Sequence, residues 1–222
     1  MRRASLSLLA LLSVPLVAHA AKAANNPVRA VSAAELAAAE YSRALTALAD
    51  GHPNVAAGRL RRVLDARPQD DDARLLLGEL LLDQGMPSDA RNVLQVGFGG
   101  RPARFGVPLA RAMLASGDAE AALQTLTAMP SPPQGEAWRN ALIGSAELAG
   151  GHTDRAIRGY RTALEAQPEQ VVWSLALSRC LRAAGREREA QDVLQVLLRR
   201  DTLSDGERES TERELDALSG VH

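Results

Sequence analysis

Cysteine occurs once, at Cys180, so no disulfide can form within the chain and a metal site would have to rest on histidine and carboxylate. Aromatic residues are as scarce. Two Trp, two Tyr and two Phe among 222 residues leave little of the β-branched and aromatic material on which β-rich folds draw. Lysine also occurs once, at Lys22, and the formal charge of -1 supplies no basic field to recruit nucleic acid; loss of Arg2 and Arg3 would take it to -3. No apolar run approaches the ~20 residues that a membrane-spanning helix needs. Abundant Ala and Leu remain, which fits helices packed closely through small side chains, an all-α class.

The longest apolar run, Leu6 to Val17, contains Pro15 and follows Arg2 and Arg3. Ala18-His19-Ala20 then supplies an A-x-A cleavage site, so residues 1–20 read as a secretory signal and the mature chain begins at Ala21. An uncleaved anchor is the competing interpretation, and the shortness of the run argues against it. With no cysteine near the cleavage site, no lipoprotein anchor is expected, which makes the mature product periplasmic or secreted. Residues 21–32, with Asn25, Asn26 and Pro27, lack periodicity and form a flexible leader. Ser32 and Glu35 have capping-box spacing and open a helix expected from about Ala33 to Asp50.

From there the chain repeats itself. Glycines stand at 51, 85, 117, 151 and 185, alanines at 56, 90, 122, 156 and 190, and large apolar residues at Leu60, Leu94, Leu126, Tyr160 and Leu194. The frame is clearest in residues 151–168, where Ala156, Ile157, Tyr160, Ala163 and Leu164 fall on one face of an α-helix. Each unit is therefore a helical hairpin, the first helix ending at the glycine and the second centred on the alanine. A large-small pair, Leu77-Gly78, Leu109-Ala110, Ile143-Gly144 and Leu177-Ser178, with Arg43-Ala44 as an imperfect first copy, lets the two helices approach closely. Bulk at the five alanines, as in Ala156→Leu, should overpack the hairpins. One step of the frame is two residues short and coincides with GFGGRPARFGVP, residues 97–108. Three glycines there are expected to end the preceding helix early, with Pro108 in the first turn of a shortened helix running to about Ser116 and an altered, more mobile seam between repeats.

This 34-residue helix-turn-helix unit resembles the tetratricopeptide repeat, TPR. The matching positions include Leu77, Gly78, Ala90, Leu94, Ile143, Gly144, Ala156, Tyr160, Ala163, Pro68, Pro102 and Pro168. The resemblance implies a right-handed α-solenoid of five hairpins, about 37–70, 71–102, 103–136, 137–170 and 171–202, within an array spanning 33–202. Departures are visible. No repeat has the family's tryptophan at its fourth position, Gly97 replaces a late small-apolar alanine, and Thr202 replaces the last proline. Beyond the array, Ser204 and Glu207 cap a polar helix to about Leu218, expected to carry Arg208–Glu212 and Glu209–Arg213 pairs and to close the open end of the solenoid, residues 203–218. An acidic docking helix is the functional alternative for this segment.

No catalytic constellation can be assembled. His52 and His152 follow the turn glycines of the first and fourth repeats, so they are not expected to converge on a metal. Asp70, Asp71 and Asp72 precede a helix N-terminus, where carboxylates cap backbone donors. The glycines of 97–108 follow no strand and precede no Gly-Lys-Ser/Thr, so they make no nucleotide loop. Cys180 falls at a helix position expected to be buried. No cofactor and no enzymatic activity are expected. The resemblance instead implies a concave groove lined by the first helices at positions 2, 5, 9, 12 and 13: Tyr41, Leu45, Leu48, Leu75, Glu79, Leu82, Asp83, Val107, Arg111, Leu114, Trp138, Leu148, Leu175, Arg179 and Arg182. Glu79 and Asp83 toward one end, and Arg111, Arg179 and Arg182 toward the other, suit an extended or helical peptide. The lysine and asparagine carboxylate clamp of chaperone-tail binders in the family is absent. The functional expectation is a scaffold that binds a protein or peptide, an adaptor for envelope assembly (pilus, secretion or polysaccharide export). Its alternatives are a regulatory subunit of a cell-wall or surface-modifying enzyme, and a periplasmic holdase chaperone.

Overall fold

In a computed structural model, residues 32–130 and 135–219 are described. Residues 1–31, 131–134 and 220–222 lie outside them, and with them the expected signal segment and all but the last residue of the expected leader. The described chain is all-helical, in the order α1 (Ala33–Ala49), α2 (Pro53–Ala66), α3 (Asp71–Asp83), α4 (Pro87–Phe98), α5 (Pro102–Ala115), α6 (Ala119–Ala128), α7 (Glu136–Ala149), α8 (Thr153–Ala166), α9 (Val171–Ala183), α10 (Glu187–Leu198) and α11 (Asp205–Ser219). Consecutive helices pair as α1/α2 through α9/α10, each pair packs on the next, and α11 lies against α9 and α10.

The framing glycines owe their spacing to backbone chemistry. Gly51, Gly85, Gly117, Gly151 and Gly185 all have φ between 70° and 84°, a region that side chains disfavour. In the fourth repeat His152 N–H donates to the Glu147 carbonyl at 2.8 Å and Gly151 N–H to the Leu148 carbonyl at 2.9 Å, the paired bonds that close a helix C-terminus on a left-handed residue. The other four turns repeat this pattern. The five alanines that centre the second helices are all fully buried, which is why the hairpins close to small-residue distance. Backbones approach closely between α7 and α8, where a Cβ on Gly159 would stand 2.8 Å from the Gly144 amide nitrogen and 2.9 Å from the Asn140 carbonyl oxygen.

Residues 97–108 depart from expectation. Helix α4 does stop at Phe98, but α5 begins at Pro102 and keeps its full length, so Pro108 lies in its interior rather than in its first turn. The proline forfeits one intrahelical hydrogen bond. Phe105 and Leu109, both fully buried, anchor the helix on either side of it, and tertiary packing overrides the local penalty. The seam is filled rather than loose: the Phe105 ring lies where a Cβ on Gly97 would be, 2.4 Å from it. Gly97 replaces the usual alanine because the ring needs its space.

The fourth position of each repeat, without its tryptophan, is met by different chemistry. Glu40 is buried and takes ion pairs from Arg43 at 2.6 Å, Arg59 at 3.2 Å and Arg62 at 3.5 Å. The Arg43 hydrogen bond, with help from Arg59, holds its carboxyl below the usual range. Arg74 is buried with its guanidinium on the Val93 and Pro68 carbonyls. Gly106 admits the Met129 side chain.

At the C-terminal end Ser204 and Glu207 form the expected reciprocal cap, with Ser204 N–H donating to Glu207 Oε2 at 2.9 Å and Glu207 N–H to Ser204 Oγ at 3.4 Å. Arg208 does not reach Glu212. Its guanidinium instead donates to the Leu198 and Arg200 carbonyls at 3.2 and 3.3 Å, because the exposed end of α10 offers unpaired acceptors. The Glu209–Arg213 pair is present at 3.9 Å.

Candidate functional site

All fifteen groove candidates sit on the first helices α1, α3, α5, α7 and α9, and none is fully buried. They divide into three kinds. Tyr41, Leu48, Leu75, Leu82, Val107 and Leu114 are half-buried and pack against the core. Burial, then the charges of Asp72 and Asp70, pushes the Tyr41 phenol upward, so it is a neutral hydrogen-bonding group at ordinary pH. Leu175 is also half-buried.

The charged candidates are largely engaged within the chain. Arg111 pairs with Glu79 at 2.5 Å, so the two charges expected at opposite ends of the groove cancel each other. Arg179 and Arg182 pair with Glu214 of α11 at 2.6 and 4.0 Å, so the basic end is already faced by a carboxylate. The polarity that the sequence suggested is therefore corrected: the one-repeat offset places opposite charges side by side. Asp72 and Arg104 pair in the same way, and Arg104 and Arg101 also hold the buried Asp71. Of the three aspartates only Asp70 is the expected cap, accepting from Ala73 N–H at 3.1 Å. His152 Nδ1 stands 2.9 Å from Glu147, away from His52 in a different repeat. Exposed pairs such as Arg111–Glu79 contribute about 0–1 kcal/mol each.

The third kind is exposed. Asp83 is open to solvent, as are Leu45, Trp138 and Leu148 at 46%, 42% and 37%. Trp138 is not free-standing, because its ring meets buried Trp173 edge to face, with centroids 5.0 Å apart at 83°. That geometry favours an aromatic pair and fixes the exposed ring in place. Two residues escaped the sequence reasoning here. Val172 is 71% exposed and occupies in the fifth repeat the place Trp138 holds in the fourth, a signal the 34-residue frame carried. Trp173 could be recognised as the support only from the packing of α9.

The described residues contain no cluster of three or more metal-ligating side chains and no helix long and apolar enough to cross a membrane. Cys180 is fully buried in α9, and burial raises its thiol.

Solved structures of similar fold include MamA from Desulfovibrio magneticus RS-1, at 17% identity over 82% of this chain and 98% of that one with a TM-score of 0.66. Pseudomonas aeruginosa PilF is 16% identical over 86% of this chain and 95% of that one, TM-score 0.65. PilW, a type IV pilus biogenesis factor, is 14% identical over 84% and 87%, TM-score 0.71. At such identities the likeness concerns the fold alone. No curated protein sequence matches the chain. The tetratricopeptide repeat family profile matches residues 47–98 and 147–206, just over half of the sequence, and together with the five glycine-closed hairpins this shows that the chain belongs to the tetratricopeptide repeat family.

Proposed function

We propose that the protein is a non-enzymatic scaffold that holds a protein or peptide partner on its first-helix face, in the half of the array around Trp138. The observation that carries this is the exposed Trp138 ring, braced by buried Trp173 and followed one repeat later by exposed Val172. An immobilised tryptophan with apolar neighbours is the type of residue that dominates binding energy at interfaces. The charged stretch around Glu79 and Arg111 flanks this patch and contributes register more than affinity.

We place the protein in the periplasm of a bacterial envelope, as an adaptor during assembly of a surface machine. The signal-like residues 1–20 support export, and the structural likeness to PilW, a type IV pilus biogenesis factor, supports the class of machine. Cross-linking and pull-down from the native envelope, comparing wild type with Trp138→Ala plus Leu148→Ala, tests the groove. One stoichiometric partner lost in the double variant is expected. Equal capture by both proteins would overturn the groove mechanism, and many weak unfolded clients would point to a holdase. Recovery of the mature protein in the cytoplasmic fraction would overturn the placement.

A further inference from the structure

Gly85 and Gly185 hold the same place in the second and fifth repeats, so residues 100 positions apart are equivalent there. In the fifth repeat a cavity of about 270 Å³ stands between α8, α9 and α10. Leu164, Pro168, Leu177, Val193 and Val196 wall it, and each is the same residue type as its counterpart 100 positions earlier. The second repeat fills this place from within, where Arg74 is buried and its guanidinium donates to the Pro68 and Val93 carbonyls. Its counterpart Ser174 is short and buried, with its hydroxyl turned back to the Gln170 carbonyl at 3.4 Å, so an apolar stem and a cationic head are both missing. The exposed lining residues Pro168, Asp192 and Val196 belong to the second helix of a hairpin or the turn after it, so the cavity opens away from the first-helix groove.

The mouth is built of acceptors. The Pro168 carbonyl, whose counterpart takes the Arg74 guanidinium, meets no donor among the described residues. Asp192 stands where the second repeat has neutral Asn92, and its carboxylate is exposed. Arg200 also lines the cavity, but its Nη1 is shut off from solvent, so the exposed charge beside the opening is the carboxylate. An apolar interior with a carboxylate and an unpaired carbonyl at its rim selects an apolar group that carries a cation, because a charge-assisted hydrogen bond is about twice as strong as a neutral one. The volume is below the ~300–1,000 Å³ of ordinary small-molecule sites and suits one large side chain.

We propose that this outer-face cavity binds the amino-terminal residue of a partner polypeptide, its apolar side chain in the space of the missing arginine stem and its α-ammonium on Asp192 and the Pro168 carbonyl, in place of the missing guanidinium. An amino-terminal residue carries both groups on one Cα, which a cavity for a single side chain requires. A lysine or arginine entering from outside would bring its cation to the apolar interior, and an internal apolar residue offers only a neutral N–H to the rim.

The probe is phenylalaninamide at about pH 6.5, where an α-amino group is charged, titrated into the full mature protein while the methyl resonances of Leu177, Val193 and Val196 are followed. Saturable shifts at these methyls are expected, with a dissociation constant of about 1 mM. N-acetylphenylalaninamide keeps the ring and loses the charge, and should bind about tenfold more weakly. Asp192→Asn, which restores the residue of the second repeat, should bring the two compounds to equal affinity. Ser174→Arg, which restores the internal side chain, should abolish binding of both while the thermal melt is kept. The groove variant Trp138→Ala plus Leu148→Ala should bind phenylalaninamide as the wild type does. Absence of shifts at these methyls, equal binding of the free and acetylated compounds by the wild type, a preference kept in Asp192→Asn, or loss of binding in the groove variant would each overturn the proposal. Asp192→Asn alters an exposed side chain and is read independently of whether Ser174→Arg folds.

Discussion

The close contact of α7 with α8 makes the same substitution act with opposite sign at two glycines. Gly159→Ala places a Cβ 2.8 Å from the Gly144 nitrogen, 2.9 Å from its Cα and 2.9 Å from the Asn140 carbonyl oxygen, all of them backbone atoms that no rotamer change can move. Alanine recovers about 1 kcal/mol of helix propensity. Overpacking costs roughly 1–3 kcal/mol, and a backbone clash sits at the upper end of that range. A net loss of about 1–2 kcal/mol follows, or about 2–8 °C in melting midpoint for a chain of this size. Gly58, inside α2, has nothing within 4 Å of its would-be Cβ, so Gly58→Ala keeps only the propensity gain, about 0.5–1 kcal/mol. Circular-dichroism melts give the two signs. Because an array opens locally, hydrogen exchange should show lost protection in α7 and α8 of Gly159→Ala with α1 and α2 unchanged. A Gly159→Ala protein as stable as wild type, or a destabilised Gly58→Ala, would refute the packing argument.

Three further outcomes are expected. Phe105→Ala should cost about 3–5 kcal/mol in urea denaturation, since the ring is fully buried and fills the space over Gly97. Tyr160→Phe removes the 2.8 Å hydrogen bond between the Tyr160 and Ser145 hydroxyls and should cost about 0.5–1.5 kcal/mol in the same assay. Glu40 is held below its ordinary value of 4.5 by Arg43 and Arg59, so its folded form binds its proton less readily than the unfolded form. Its contribution is therefore complete above that value and is lost as the pH falls through the lower folded one. A melting-temperature series against pH should show this acid loss in the wild type and a shallower one in Glu40→Gln; identical slopes would count against the ion-pair cluster.

The hairpins were legible in the sequence because their determinants are local. A glycine in the left-handed region and an alanine at helical spacing each report on their own few residues, whatever the distant chain does. Pro108 was misplaced because the opposite holds there: a local rule about proline was overridden by Phe105 and Leu109, whose burial depends on α4 and α6. The charges of the candidate site were half legible. Asp72 and Arg104 share one position of consecutive repeats, and so do Glu79 and Arg111, hence the frame that revealed the fold also set these opposite charges beside each other. Arg179 and Arg182 are different, since Glu214 reaches them from α11, which belongs to no repeat and whose docking no periodicity encodes.

The fourth position of the repeats shows what the fold requires where a family residue is missing. Glu40 satisfies it with three arginines, Arg74 with two carbonyls, and Gly106 with a methionine from the end of α6. In each case a buried volume and a set of polar groups are matched from within the chain, so the architecture survives without the tryptophan. Ser174 leaves volume unfilled and Arg200 leaves a nitrogen unpartnered at the same place. Gln84 of the second repeat leaves a buried nitrogen unpartnered too, so the solenoid tolerates isolated deficits of volume and of hydrogen bonding where neighbouring hairpins carry the packing.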